Sequence, residues 1–441
     1  MARQTTVRMS FTAIGGDLRQ MSKENKAIGN IWRNTNNSNL MRLNKRISIW
    51  WGPPKDFNTE QRERRVSWLE LFYDLVYVIA IARITGRLSH HMTLDGFIEN
   101  ICLFILIFWG WLNGSLHHDL HGNQGLRTRL MTLWQMIIIA ALAITLDKTN
   151  ENFTGITVVF IIMQMFITYQ WWSVGLYDKS HRKYNLPYTM LFLISFSLMG
   201  LSLWIPGYWL RFILPVILVC NYAPPFIANK LLKRSSKDLD LSSSMFERLG
   251  LFTIIIFGEL VLGVVNGIGE IEDLNFMDWV NFALGIFVVF ALWWIFFVLV
   301  SDRKVRKGFD KASFLELLYI PTLISLGFIA ASFHSFFSKS EFTNDLQQLL
   351  GISVAAFLCC IFLMMGLLVY PGVFDTLKRP MRLSLLLTAV VFLILSFINF
   401  RLSITGYLVL VEFILVIEIA YLNYMYYNKL LKKGIDPSEV R

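Results

Sequence analysis

Residues 68–82 read WLELFYDLVYVIAIA, an apolar segment that carries two acidic side chains, Glu70 and Asp74. A carboxylate at the centre of a membrane helix costs about 2.5–3.5 kcal/mol on insertion scales, so two on one helix require a reason. On an α-helix Glu70, Asp74 and Tyr77 share one face, because residues i, i+4 and i+7 align. The segment therefore predicts a membrane helix whose acidic face is turned towards other helices rather than lipid.

The composition of the whole chain agrees with a membrane protein. Of its 441 residues 55% are hydrophobic, 15% aromatic and only 16% charged, and the mean hydropathy is +0.51. Apolar runs of about twenty residues recur, and each can cross a hydrocarbon core of about 30 Å as an α-helix. The sequence thus predicts an all-α, polytopic membrane protein with about twelve transmembrane helices. The predicted spans are residues 67–84, 97–116, 130–146, 154–174, 188–205, 208–227, 249–266, 278–300, 313–335, 346–370, 383–400 and 403–426.

The positive charge of the chain is distributed unevenly between the predicted loops. The formal net charge is +10, which by itself would suit a nucleic-acid partner. With Arg211 counted in the short fifth connection and Arg248 counted with the helix that follows it, the even-numbered connections hold 17 Lys and Arg residues and the odd-numbered ones only 5. By the positive-inside rule the even loops and both termini lie in the cytoplasm. The charge therefore indicates a lipid bilayer as partner, in a cell membrane (plasma or inner), and no nucleic acid.

Two stretches of the chain match each other at one offset. A shift of 185 residues brings FYDLV at 72–76 onto FGELV at 257–261, and Trp109 onto Trp294. With six spans in each half, both halves cross the membrane in the same direction, which predicts two parallel six-helix repeats.

The expected organisation follows from these spans. The first 66 residues are polar and basic and lack the apolar stretch of a cleavable signal peptide, so we expect a largely disordered cytoplasmic arm. The predicted segments are the arm at 1–66, a first repeat with its connecting loop at 67–240, a second repeat at 241–427 and a cytoplasmic tail at 428–441.

The candidate functional residues are ionisable side chains inside the predicted spans. Asp74 and Glu259 occupy equivalent places in the two halves, so we expect them to line a central cavity, and we expect Glu70 and Glu412 to belong to the same ion, proton or substrate pathway. A second group is expected to form a gate or helix network. Its members are Glu247, Arg248, Trp109 and Trp294.

No catalytic or metal-binding motif accompanies these residues. His117 and His121 have the i, i+4 spacing of metal ligands, but a lone pair lacks the third and fourth ligand. The four cysteines fall inside predicted spans and are read as small buried hydrophobes. Phosphate-loop, dinucleotide, HExxH and GxSxG motifs are missing from the sequence, so we predict no enzyme, no cofactor and no metal.

Three motifs give the chain a family resemblance: RRVSWLELFYDLVYVIAIARITGRL, FWGWLN and FERLGLFTIIIFGELVLGVV. They resemble the low temperature requirement protein A family of polytopic, mainly microbial membrane proteins, over roughly residues 60–426. The family is named for growth at low temperature. Tyr319 departs from it, because the family pattern has a His near this position. The positions that the resemblance marks are Trp68, Glu70, Phe72, Asp74, Trp109, Trp111, Asn113, Glu247, Arg248, Gly258 and Glu259.

Three functional hypotheses remain open from the sequence. The first is a transporter or permease of a small solute or ion, with proton coupling as an option and with intramembrane carboxylates lining its cavity. The second is a non-transporting sensor or structural protein whose buried charges hold the helices together. The third is a membrane-embedded lipid-modifying enzyme, which the missing motifs disfavour. A homo-oligomer stays open in each case.

Overall fold

The structure is a computed structural model of the chain. It describes residues 66–90, 92–122, 125–147, 153–177, 182–232, 242–301, 303–338, 343–370, 373–398 and 402–432. The predicted cytoplasmic arm, apart from its last residue, and most of the predicted tail lie outside the described residues.

The described residues hold thirteen α-helices and two short strands. The helices of the first half are α1 (Trp68–His90), α2 (Leu94–His121), α3 (Leu126–Asp147), α4 (Phe153–Tyr177), α5 (Arg182–Ser202), α6 (Leu210–Tyr222) and α7 (Pro224–Leu232), with a 3-10 turn at Gly207–Trp209. Those of the second half are α8 (Ser243–Gly269), α9 (Phe276–Leu299), α10 (Phe309–Ser338), α11 (Asn344–Leu367), α12 (Val373–Phe397) and α13 (Ile404–Lys432). The strands are β1 (Lys304–Val305) and β2 (Leu368–Val369).

The lengths and compositions of these helices confirm a polytopic helical membrane protein. Ten of the described helices are long and apolar enough to cross a bilayer, and α6 with α7 would make an eleventh as one bent span. Helix α1 has the length but is more highly charged, because Glu70, Asp74, Arg83 and Arg87 fall within it. Each predicted span coincides with a described helix or, for 208–227, with the bent pair.

The sixth predicted span differs from a single straight helix. The chain bends by 45° between α6 and α7, directly before Pro224 and Pro225. A proline has no N–H to donate to the preceding turn, and its ring clashes with the carbonyl four residues back. The helix is therefore interrupted there, and α7 starts afresh on the two prolines.

Helix α12 begins earlier than the sequence predicted. It starts at Val373, ten residues before the predicted position 383, so Lys378 and Arg382 belong to the helix and not to the preceding loop. Their charged ends bind backbone carbonyls of the neighbouring segment: Lys378 Nζ donates to Leu368 O at 2.9 Å and Arg382 Nε to Phe362 O at 2.9 Å. These bonds stabilise charges that hydropathy alone would exclude from a span.

Of the described residues, those in 66–122 and those from 131 onwards belong to one compact unit, and the beginning of α3 belongs to another. Within the large unit, α8 packs along α10 and against α1, while α10, α11 and α12 pack in sequence. Helix α1 also packs on α2 and α10. The two helices that carry the candidate acids, α1 and α8, are thus direct neighbours.

Contacts between helix ends divide the connections into two groups. Strand β1 pairs antiparallel with β2, so the α9–α10 and α11–α12 connections lie at the same end of the bundle. At the opposite ends of these helices Ser335 Oγ donates to Ser89 O at 3.1 Å and Thr405 Oγ1 to Asn281 Oδ1 at 2.7 Å. The α8–α9 connection contacts α10 at this same end, where Glu270 Oε1 lies 3.2 Å from His334 Nε2. This division matches the even and odd connections of the charge pattern.

Candidate functional site

Asp74 on α1 and Arg248 on α8 form a buried ion pair. Arg248 Nη2 donates to Asp74 Oδ1 at 2.5 Å, and Arg248 Nε to Asp74 Oδ2 at 3.4 Å. Trp111 on α2 donates its Nε1 hydrogen to Asp74 Oδ1 at 2.7 Å. Asp74 is fully buried and Arg248 is 1% exposed. The pair therefore connects three helices through charge-assisted hydrogen bonds.

Glu70 extends this ion pair by one helical turn. Its Oε1 lies 3.6 Å from Arg248 Nη1 and 3.6 Å from His118 Nε2, and its side chain is 2% exposed. Its Oε2 accepts hydrogen bonds at 2.8 Å from the backbone N–H and the hydroxyl of Ser67. Since Glu70 lies in the first turn of α1, its charge is also favoured by the helix dipole. We call Glu70, Asp74, Trp111 and Arg248 the ion-pair network.

Aromatic rings enclose the ion-pair network. The Arg248 guanidinium carbon lies 5.6 Å from the centre of the Tyr73 ring and 5.7 Å from that of Trp111, within the range of cation–π contacts. Phe252, one turn further along α8, packs on Trp111 with ring centres 4.5 Å apart. All these rings are buried. The network is thus a dry, well-packed junction between α1, α2 and α8.

Glu259 lies in a different environment, at a cavity of about 770 Å³ between α1, α8 and α10. Polar and charged side chains line it, among them Arg83, Arg87, Glu259, Asn266 and His334. Asp74 is not among the lining residues, so the structure does not bring Asp74 and Glu259 together in one cavity. The reason is that Arg248 and Trp111 occupy the space in front of the Asp74 carboxylate.

Each acid near this cavity lies close to a basic group. The Arg87 guanidinium is 3.2 Å from the Glu99 carboxylate, and His334 Nε2 is 3.2 Å from Glu270 Oε1. The charge of Arg83 acts on Glu259 across the groove between α1 and α8. The cavity therefore offers charges of both signs inside a helical membrane protein, which is uncommon without a functional reason.

Two predicted site residues, Glu247 and Glu412, lie apart from both sites. Glu247 is exposed and does not join the ion-pair network, because adjacent residues of a helix point about 100° apart and Arg248 takes the inward position. Glu412 on α13 does not line the cavity, and among the described residues no donor binds its buried Oε2 atom. Glu418, six residues after Glu412 on the same helix, accepts hydrogen bonds from Ser384 at 2.8 Å and Thr388 at 2.9 Å.

The two tryptophans that match in the sequence have different surroundings. Trp109 is fully buried, donates to Asn221 O at 2.8 Å and packs edge-on against Phe192. Trp294 is 37% exposed and contacts the ring of Phe290. Trp109 therefore joins α2 to α6 within the first half, and Trp294 lies at the protein surface.

Three polar lining residues of the cavity were not predicted from the sequence: Arg87, Asn266 and His334. One signal was available, because Asn266 follows Glu259 by seven residues and so shares its helical face. His334 lies on α10, and nothing in its local sequence links it to α8. Tyr319 is buried on α10, and its ring contacts that of Phe296 edge-on.

The histidines at the end of α2 form an aromatic cluster. The rings of His117 and His121 lie 5.6 Å apart, and both contact Trp171 edge-on. Within the part of the chain that the structure describes, no three His, Cys, Asp or Glu side chains are grouped to hold a metal ion. The four cysteines are free thiols.

Comparison with known proteins places this arrangement in a family. A relative from Rhizobium meliloti (strain 1021), described as uncharacterized, is 26% identical over 262 residues, which are 57% of this chain and 63% of the relative. The chain thus spans less than two thirds of that protein's length. The family model of the bacterial low temperature requirement A protein (LtrA) matches residues 65–420, which include the ion-pair network and the cavity. The chain belongs to the bacterial low temperature requirement A (LtrA) protein family.

Proposed function

We propose that this LtrA protein transports a small polar or charged solute or ion across the cell membrane. The observation that carries the proposal is the cavity of about 770 Å³ that reaches Glu259 between α1, α8 and α10. Charged side chains inside membrane helices are costly, and they are typical of substrate and ion pathways. A cavity of this size accommodates a small solute.

The ion-pair network supports the same function as a closed gate. The cavity lining extends along α1 from Leu75 to Ser89 and so ends one residue after Asp74. The network then closes the path on the side where α1 and α8 begin, which the charge pattern makes the cytoplasmic side. In this proposal the described arrangement is open to the outside, and separation of Asp74 from Arg248 opens it to the cytoplasm.

The transport proposal includes twelve crossings in two parallel repeats, with both termini in the cytoplasm. Helix α1, despite its charges, and the bent pair of α6 with α7 are then counted as spans. Several helix contacts recur between the halves: α2 with α6 corresponds to α9 with α13, and α4 with α5 to α11 with α12. Helices α1 and α8 are the first of each repeat and meet at the ion-pair network.

A second candidate function has its own supporting observation. The Asp74–Arg248 pair is buried and joined by two hydrogen bonds, as expected of a purely structural junction in a non-transporting sensor or scaffold. The two candidates differ over Glu259, since a scaffold has no use for a charged cavity. For either one we assign no catalytic reaction, and the lipid bilayer is the common partner.

The transport proposal is tested with the purified full chain in liposomes, screened for uptake of pooled metabolites and ions with and without a proton gradient. We expect the wild type to accumulate at least one solute and Glu259→Gln to abolish that uptake, because the amide keeps the shape of the side chain and removes its charge. The matched control is Glu412→Gln, which changes a membrane-embedded acid away from the cavity and should retain uptake.

Two results would count against the proposal. If the folded wild type accumulates no solute from any pool, the second candidate, a non-transporting sensor or scaffold, is favoured. If Glu259→Gln transports as well as the wild type, the cavity is not the pathway.

A further inference from the structure

We propose that a crevice between α9, α12 and α13 binds an anionic phospholipid of the leaflet that faces the β1–β2 end of the protein. Its acyl chain would occupy the crevice, and its phosphate would bind Arg303 at the mouth. By the charge pattern this leaflet is the cytoplasmic one, where anionic headgroups attract basic segments. The site is separate from the cavity at Glu259 and does not depend on transport.

The crevice is apolar and rich in aromatic side chains. Its volume is about 220 Å³, and α9, α12 and α13 each contribute to its walls. Trp294 and Val298 of α9 line it and are 37% and 40% exposed, so this wall is accessible to lipid. Tyr426 and Tyr427 line it from α13. Tryptophan and tyrosine are the side chains typical of the membrane–water interface.

Arg303 lies directly at the end of this crevice. Its Nη2 donates to Val298 O at 3.0 Å, and its guanidinium carbon lies 4.4 Å from the centre of the Phe374 ring. Val298 and Phe374 both line the crevice, and Phe374 stacks on Tyr426 with ring centres 4.5 Å apart. The apolar walls and the cationic group are therefore continuous.

Arg303 and Lys378 donate hydrogen bonds to backbone carbonyls and lie over aromatic rings. Among the described residues, no carboxylate lies within ion-pair distance of Arg303, and no hydrogen-bond acceptor reaches its buried Nε. Lys378 is buried and donates to Leu368 O, with the exposed Asp375 as the described acid that acts on it. A half-buried guanidinium with a free donor favours an anion, and phosphate accepts its hydrogen bonds well.

A lipid fits this arrangement better than a soluble anion. Trp294 lies five residues before the end of α9, about 7.5 Å into the membrane by the rise of a helix. An acyl chain at the depth of Trp294 stays in the apolar part of the bilayer and holds the headgroup beside Arg303. A free phosphate would leave the apolar crevice unoccupied.

The test measures quenching of Trp294 by phosphatidylglycerol with brominated acyl chains, in the purified full chain in detergent. The contribution of Trp294 is the difference between the wild type and Trp294→Phe. We expect quenching to saturate at lower concentration with phosphatidylglycerol than with brominated phosphatidylcholine. We expect Arg303→Gln to weaken the apparent affinity for phosphatidylglycerol by about tenfold, as for loss of a charge-assisted hydrogen bond.

The matched control is Arg379→Gln, which removes the same charge from an exposed position of α12 and should leave the affinity unchanged. Equal affinity for the two lipids, or an equal loss in Arg379→Gln, would overturn the proposal. Displacement of the lipid by inorganic phosphate at equal concentration would also overturn it, in favour of a phosphate site. If Arg303→Gln fails to fold, Val298→Phe fills the crevice from its exposed wall, and undiminished quenching in that variant refutes the proposal.

Discussion

At the scale of single residues, the ion pair of Asp74 and Arg248 is the feature with the largest expected effect on stability. Both groups are buried and hydrogen-bonded to each other; Trp111 donates a further hydrogen bond to Asp74, and Glu70 lies 3.6 Å from Arg248 Nη1. Such a pair contributes little net free energy when it replaces apolar packing, but removal of one partner leaves an unpaired charge in a dry interior.

The first prediction follows from this asymmetry. Asp74→Asn should destabilise the folded protein by about 3–5 kcal/mol, because Arg248 loses its closest counter-charge. The double variant Asp74→Asn with Arg248→Met should recover most of the loss, since no unpaired guanidinium remains. Thermal unfolding of the purified variants in detergent measures both effects.

The control for that series is Glu259→Gln, which changes a partly exposed acid at the cavity and should melt close to the wild type. Equal melting temperatures of the single and double variants would show that the two residues are not coupled. In that case the ion-pair network is neither a gate nor a junction.

At the scale of elements, the contact between α8 and α10 depends on two glycines of α8. A Cβ at Gly263 would lie 2.6 Å from Ala330 O, and one at Gly267 would lie 2.8 Å from His334 O. The spacing of four residues places both on one face, as in the small-residue contacts of membrane helices. Because the opposing atoms belong to the α10 backbone, the helices cannot relax by a side-chain rotation.

The second prediction concerns this contact. Gly263→Ala should destabilise the protein by about 1–3 kcal/mol, because the added methyl group forces the two backbones apart. The matched control is Gly258→Ala on the same helix, where an added Cβ meets no atom within 4 Å. Thermal unfolding in detergent, followed by fluorescence without a thiol-reactive dye, compares the stabilities of the two variants. The prediction is wrong if Gly258→Ala loses as much stability as Gly263→Ala.

At the scale of the whole molecule, the connections between helices alternate between the two ends of the bundle. This alternation decides which side of the membrane the cavity faces. The β1–β2 pair joins connections at one end, and the Ser335–Ser89 and His334–Glu270 contacts join connections at the other. The cavity extends along α8 to Asn266, near the second end. In the orientation that we propose from the charge pattern, that end is the outer one.

The third prediction is a labelling pattern in whole cells, in a background with the four native cysteines replaced. Asn266→Cys, in the cavity, should react with a membrane-impermeant thiol reagent from outside, and Lys307→Cys should react only after the cells are opened. Ser332→Cys, on the buried face of α10, should react in neither case. Reaction of Lys307→Cys from outside would invert the orientation and the direction in which the cavity faces.

Much of the fold could be predicted from the sequence, because the bilayer imposes a length and a composition on every span. The twelve predicted spans coincide with described helices for that reason. The differences arise where local chemistry overrides hydropathy: Pro224 and Pro225 interrupt a span, and α12 begins ten residues early because carbonyls receive Lys378 and Arg382. Hydropathy does not register such partners.

The sequence by itself determined that Glu70 and Asp74 share an inward face, since the helical period fixes the direction of side chains before any packing. It also indicated that Arg248 belongs to a gate or helix network, because a buried charge is too costly alone. Only the tertiary structure decided that the partner of Arg248 is Asp74 and that Glu259 faces a separate cavity with Arg83 and His334. The physical reason is that the packing of α1, α8 and α10 sets these pairings between residues far apart in the chain, 174 positions for Asp74 and Arg248, and no local pattern encodes how two helices align.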